Sequence, residues 1–122
     1  LDKLNDNIYQ RREKAFLLQK AFGDLKNAFL ITNSDKEVYW RQNVLIDKKR
    51  NELLFYLLRK GFLISSWYPT VSTFLSKEKG FDSFPNSEYL SDRILNFWVN
   101  DQADEKYINS ITDQVYKFYD NQ

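Results

Sequence analysis

The chain has 122 residues and a mass of 14.7 kDa, room for one domain. Hydrophobic residues make up 43% and aromatics 17%, the latter from ten Phe, eight Tyr and three Trp, while 18 basic against 17 acidic side chains leave a net charge of +1. That balance gives no electrostatic basis for a nucleic-acid or membrane-surface protein, and the lack of both Cys and His excludes disulfides, thiol or imidazole metal sites and His-based acid–base chemistry.

The first periodic segment predicts a helix over residues 7–22. Ile8, Ala15, Leu18 and Phe22 fall on one side, and Arg11, Arg12, Glu13, Lys14 and Lys20 on the other. Gly23 is the expected stop. Ala28 to Thr32 and Glu37 to Ile46 have strand character, the second through Val38, Tyr39, Trp40, Val44, Leu45 and Ile46. Asn33-Ser34-Asp35 between them is turn chemistry, so a hairpin is expected. Asp47 is the predicted N-cap of a helix from Lys48 to Lys60, with Leu53, Leu54, Leu57 and Leu58 inward and Gly61 ending it. Phe62 to Ser66 follows as a strand. The order strand, helix, strand places both strands in one sheet with the helix on one face.

Trp67 to Phe81 is irregular. The Tyr68-Pro69 step forces an extended or turning backbone, and Lys77-Glu78-Lys79-Gly80 reads as a solvated loop tip. Pro85 opens a predicted helix to about Leu95, with Tyr89, Leu90 and Ile94 inward. Phe97-Trp98-Val99 is a short, buried, extended segment. Asn100 or Asp101 is expected to cap a last helix from Asp104 to Tyr119, striped by Ile108, Ile111, Val115 and Phe118. The sum is one α+β domain spanning 1–122: a two-layer sandwich of a small, mostly antiparallel sheet with helices packed on it.

Few constellations carry chemistry. Ser76 and Lys79 have Ser-x-x-Lys spacing, without the other motifs of that hydrolase class. The pairs Glu88/Asp92 and Asp101/Glu105 lie one helical turn apart, where surface or capping roles outweigh metal binding. Nothing in the sequence marks one of the twelve lysines as an imine former. Tyr39, Trp40 and Trp67 invite comparison with base-stacking sheets, but no basic stripe accompanies them, so core or interface roles are expected. No apolar run approaches the ~20 residues that span a bilayer, no secretory signal opens the chain, and a cytoplasmic location is expected. The absence of Met, with Leu1 first, reads as a piece of a longer protein.

Two stretches are familiar together: Leu57-Leu58-Arg59-Lys60-Gly61-Phe62-Leu63-Ile64 with Trp67-Tyr68-Pro69, and Phe84-Pro85-Asn86-Ser87-Glu88-Tyr89-Leu90 running to Val99 and on through Asp104-Glu105-Lys106-Tyr107-Ile108. Their order resembles the C-terminal small domain of nucleotide-sugar aminotransferases of the DegT–StrS kind, a branch of the fold-type I pyridoxal-phosphate enzymes. In that family a His-Tyr-x-Pro-x-His loop follows the strand. Here Trp67 replaces the first His, Ser72 the second, and Tyr68 is retained; Phe97-Trp98 stands where Leu-Pro is usual.

The resemblance implies that Trp67, Tyr68 and Ser72 lie on the substrate side of a cleft. The bland alternative is that Trp67 and Tyr68 plug the seam between small and large domains. The resemblance also implies a parent that uses pyridoxal phosphate, held with its lysine, acid and phosphate donors in a large N-terminal domain absent from this chain. This piece alone is then expected to have no catalytic residues and to bind no cofactor or metal. Its expected partners are the large domain, a second subunit in a homodimer and a nucleotide-sugar or related substrate, with no nucleic acid and no membrane. Two other classes stand beside this one: a free-standing protein-interaction module, and a domain of a dehydratase or sensor that keeps the fold.

Overall fold

Four short strands and four helices meet in one sheet with helices on both of its faces. A computed structural model describes residues 1–31, 36–70 and 84–121. Helix α1 spans Asp2–Phe22, strand β1 Ala28–Leu30, β2 Arg41–Ile46, helix α2 Arg50–Arg59 and β3 Ile64–Ser65. Helix α3 spans Pro85–Arg93, β4 Ile94–Trp98 and α4 Glu105–Asp120. The four strands form an antiparallel sheet in the order β1-β2-β4-β3. The α+β class is as expected.

One face of the sheet carries the core. Gln42, Val44 and Ile46 of β2 and Leu95 and Phe97 of β4 alternate toward α1, α2 and α4, as strand pleating requires. They meet Ala15, Leu18 and Phe22 of α1, Leu53 and Leu57 of α2, and Ile108, Ile111 and Val115 of α4. The Phe22 and Phe97 rings sit 4.9 Å apart. Gln42, buried among these groups, accepts from Gln19 Nε2 at 3.2 Å, so its side chain crosses into the core without losing a partner.

Several boundaries differ from expectation, each for a local reason. Asp47 does not cap α2: Lys49, in the left-handed region at φ 59°, holds the N-cap position, and the Asp47 carboxylate lies 3.7 Å from Arg93 Nε. Leu58 of α2 is exposed, whereas Gly61, at φ 85°, ends the helix as predicted. The second strand begins at Arg41; residues 37–40 approach it as irregular backbone, although Tyr39 is buried there. Strands β2 and β3 do share a sheet, but β4 lies between them.

Helix α3 stops at Arg93, two residues before the expected end. Arg50 donates from Nε to the Asp92 carbonyl and from Nη2 to the Ser91 carbonyl, both at 2.8 Å, and so occupies the acceptors another helical turn would have used. Ile94 and Leu95 then open the central strand. Tyr89 and Leu90 are exposed rather than inward, because α3 lies on the face of the sheet away from the main core. Glu88 Oε1 accepts from the Phe84 N–H at 3.4 Å, a capping role. At the last helix neither Asn100 nor Asp101 is the cap: Asp104 accepts from the Tyr107 N–H at 2.7 Å.

Candidate functional site

The second face of the sheet is polar and aromatic. The strand register places Arg41 opposite Trp98, Asn43 opposite Asn96, and Ser65 opposite Asn96 on its other side. Asn96, almost wholly buried on the central strand, donates from Nδ2 to Asn43 Oδ1 at 2.8 Å. Its own Oδ1 accepts from the Trp67 backbone N–H at 2.7 Å and from Ser65 Oγ at 3.3 Å. One asparagine thus pins the first residue of the irregular loop to the middle of the sheet. A buried amide with its partners in place is rigid, since each lost bond would leave an unsatisfied polar group.

Trp67 and Tyr68, both half exposed, follow directly. The Trp67 ring lies 5.4 Å from that of Trp40, tilted by 39°. Tyr68 holds φ at 88°, a conformation that costs a residue with a Cβ about 1–3 kcal/mol. The hydrogen bond from the Trp67 N–H to Asn96 fixes the backbone immediately before it. Tyr68 and Pro69 line a cavity of about 490 Å³ together with Asn43, Asn86, Leu90 and Ile94. Ser72, like Ser76 and Lys79, lies outside the described residues.

Arg41 closes the group. Its guanidinium carbon stands 3.5 Å from the centre of the Trp98 ring and 4.3 Å from that of Trp40, a cation held against two indoles. Its Nη1 donates to the Trp40 carbonyl at 3.1 Å, and its Nε is buried without a hydrogen-bond partner. Burial, with the neighbouring Arg11 guanidinium adding to it, pulls the Arg41 guanidinium below its ordinary value; the Tyr68 phenol opposes the shift.

The structure therefore brings Trp67 and Tyr68 together and adds Arg41, Asn43 and Asn96, which the sequence reading missed. The available signal was an asparagine inside the otherwise apolar run Ile94-Leu95-Asn96-Phe97-Trp98. Such a residue interrupts an apolar strand only where something satisfies it.

The site offers flat rings, amide donors and acceptors, and one phenol. It does not offer a Schiff-base lysine: the lysines among the described residues are exposed, except half-buried Lys14, which donates to the Asn100 carbonyl at 2.7 Å. An imine-forming lysine needs burial or a cationic neighbour to lose its proton near neutrality. Among the described residues no group of three or more acidic side chains is placed to hold a metal. A larger depression of about 650 Å³, lined by Asp104, Glu105 and Asp113 among others, runs along the exposed side of α4 and holds only solvated charges and the helix cap. No described helix is long and apolar enough to cross a membrane.

This fold recurs in solved structures. DesV from S. venezuelae, crystallised in complex with a ketimine intermediate, superposes with a TM-score of 0.80 at 19% identity, covering 94% of this chain and 32% of its own. A DegT DnrJ EryC1 StrS aminotransferase from Brucella abortus gives 0.79 at 18%, covering 94% and 32%. The GDP-4-keto-6-deoxy-D-mannose-3-dehydratase of E. coli, with bound hydrated PLP, gives 0.73 at 17%, covering 92% and 31%. This chain spans about a third of the length of each. No curated protein matches it. The sequence profile of the DegT/DnrJ/EryC1/StrS aminotransferases matches residues 1–116. By that match, which takes in nearly every residue, the chain belongs to the DegT/DnrJ/EryC1/StrS aminotransferase family.

Proposed function

We propose that this chain is the C-terminal small domain of a pyridoxal-phosphate-dependent sugar aminotransferase, and that its second sheet face forms the substrate-side wall of the cleft. The observation that carries this is the pairing of the Asn96-anchored loop, with its strained Tyr68, to a described lysine set that cannot form the cofactor imine. Strain of that kind is kept where the surroundings over-determine it, as at ligand-facing loops. The described residues do not fit a pyridoxal-phosphate site of their own, so in this reading the cofactor belongs to the large N-terminal domain of the same protein, and no step of its chemistry runs through this chain.

In this reading Trp67, Tyr68 and Ser72 face a nucleotide-sugar or related substrate. Their work is shape selection and exclusion of water from the closed cleft. Exposed apolar residues on α1 (Phe16, Leu17) and α2 (Phe55, Leu58) support burial against the large domain and, in a homodimer, the second subunit. The chain alone is inactive.

The test uses the complete protein, supplied with glutamate and a panel of nucleoside diphosphate 4-keto sugars. Amino-sugar formation is expected, with W67A raising KM about tenfold and leaving the cofactor absorbance unchanged. Kinetics indifferent to W67A would remove the loop from the substrate side. A second reading, a dehydratase of the same fold, is favoured by the likeness to the E. coli enzyme. A deoxy product without nitrogen would establish it instead.

A further inference from the structure

All three tryptophans of the chain gather around one arginine: Trp98 and Trp40 flank Arg41, and Trp67 touches Trp40. Arg41 is only 9% exposed. Indole faces attract the cation, but they supply no charge to balance it, and a buried cation without a counter-charge is costly. Among the described residues the charged or ionisable groups acting on it most strongly are Arg11, a second cation, and the Tyr68 phenol; no carboxylate is among them. Arg11 itself is tied to the same segment, donating to the Tyr39 carbonyl at 3.3 Å and the Trp40 carbonyl at 3.5 Å. The cluster is thus a positive centre in a chain whose charges otherwise balance. Beside it, Trp40 and Trp67 leave about half of their surface exposed, at 50% and 56%.

We propose that Arg41 is an anion anchor and that Trp40 and Trp67 form a stacking shelf next to it, together taking the nucleoside diphosphate part of a ligand. The anion supplies the charge that the cluster lacks, through guanidinium–phosphate hydrogen bonds. The shelf accepts a flat base whatever its edge pattern, since every base has a π-face. Choice of the nucleoside diphosphate rests on the sugar-aminotransferase reading. The binding itself is read on this chain without turnover, so loss of one leaves the other to be judged separately.

Because every tryptophan is in the cluster, intrinsic emission of the chain, excited at the red edge of tryptophan absorption, reports occupancy. UDP and GDP are expected to change it saturably. Uridine alone and inorganic pyrophosphate alone should bind at least tenfold more weakly. R41Q should weaken UDP binding at least tenfold, R41K only partly restoring it because an ammonium lacks the planar fork, with far-ultraviolet circular dichroism confirming the fold. If R41Q does not fold, competition on the unmodified chain decides: pyrophosphate displacing UDP supports the anchor, and indifference overturns it. Uridine binding as well as UDP would also overturn the anchor. Glutamate acting as strongly as UDP would place a carboxylate there and overturn the shelf. No saturable change with any probe would overturn the whole proposal.

Discussion

Replacing Asn96 by Leu isolates the link between the sheet and the loop. Leu fits the volume of the amide, so the backbone of β4 is left in place. The change removes the bond to Asn43 Oδ1 at 2.8 Å, the bond from the Trp67 N–H at 2.7 Å and the longer one from Ser65 at 3.3 Å. Two good hydrogen bonds contribute about 1 kcal/mol each, and leaving the Trp67 N–H and Asn43 carbonyl oxygen unpaired adds roughly 1–2 kcal/mol more. The added apolar burial returns about 1 kcal/mol. The expected loss is therefore about 2–3 kcal/mol, a large part of the roughly 5–15 kcal/mol of a domain. With a urea m-value of about 1–3 kcal/mol/M, the unfolding midpoint should fall by roughly 1–2 M. Substituting Asn43 by Leu as well removes the orphaned partner, so the double variant should lose less than the sum of the singles. Emission should shift too, since Trp67 loses its anchor. A loss under about 0.5 kcal/mol with unchanged emission would refute the argument that Asn96 holds the loop.

Three further outcomes are expected. Leu95→Ala, at a fully buried place on the central strand, should cost about 2–5 kcal/mol in denaturant unfolding. Asp104→Ala should cost about 1 kcal/mol as a lost N-cap, whereas Asp47→Ala, which removes only a partly exposed 3.7 Å ion pair, should cost less than about 0.5 kcal/mol. Tyr119, whose hydroxyl donates to the Lys48 carbonyl at 2.8 Å, is pushed up to about 12 by burial and by Glu52 and Asp47. Its folded-state value lies above the unfolded one, so its contribution is complete below about pH 10 and is lost as pH rises toward 12. Y119F should flatten part of the alkaline fall in stability measured by urea unfolding against pH.

Helical elements were legible because their signals are local. The stripe of Ile108, Ile111 and Val115 in α4 and that of Ala15, Leu18 and Phe22 in α1 both face the core as read. Element ends were less legible, since distant groups fix them. Arg50 stops α3 from 41 residues away in sequence, and Asp104 caps α4 where Asn100 and Asp101 looked equally suitable. Only Phe97 and Trp98 of the central strand are legible as extended, because Ile94 and Leu95 also suit the helix before them; pairing with β2 and β3 decides their state. At the site, Trp67 and Tyr68 were visible through the family resemblance. Arg41 and Asn96 were not: an asparagine inside an apolar run signals only that something satisfies it, and the partners are cross-strand neighbours that the local pattern does not name.

The proposed division of labour between this domain and a cofactor-holding domain is tested most directly by titrating pyridoxal phosphate into the isolated chain and into the complete protein. An imine absorbance band, trapped by borohydride as a covalent adduct, is expected in the complete protein only and on a lysine outside these 122 residues. A stoichiometric adduct on a lysine of the isolated chain would contradict it.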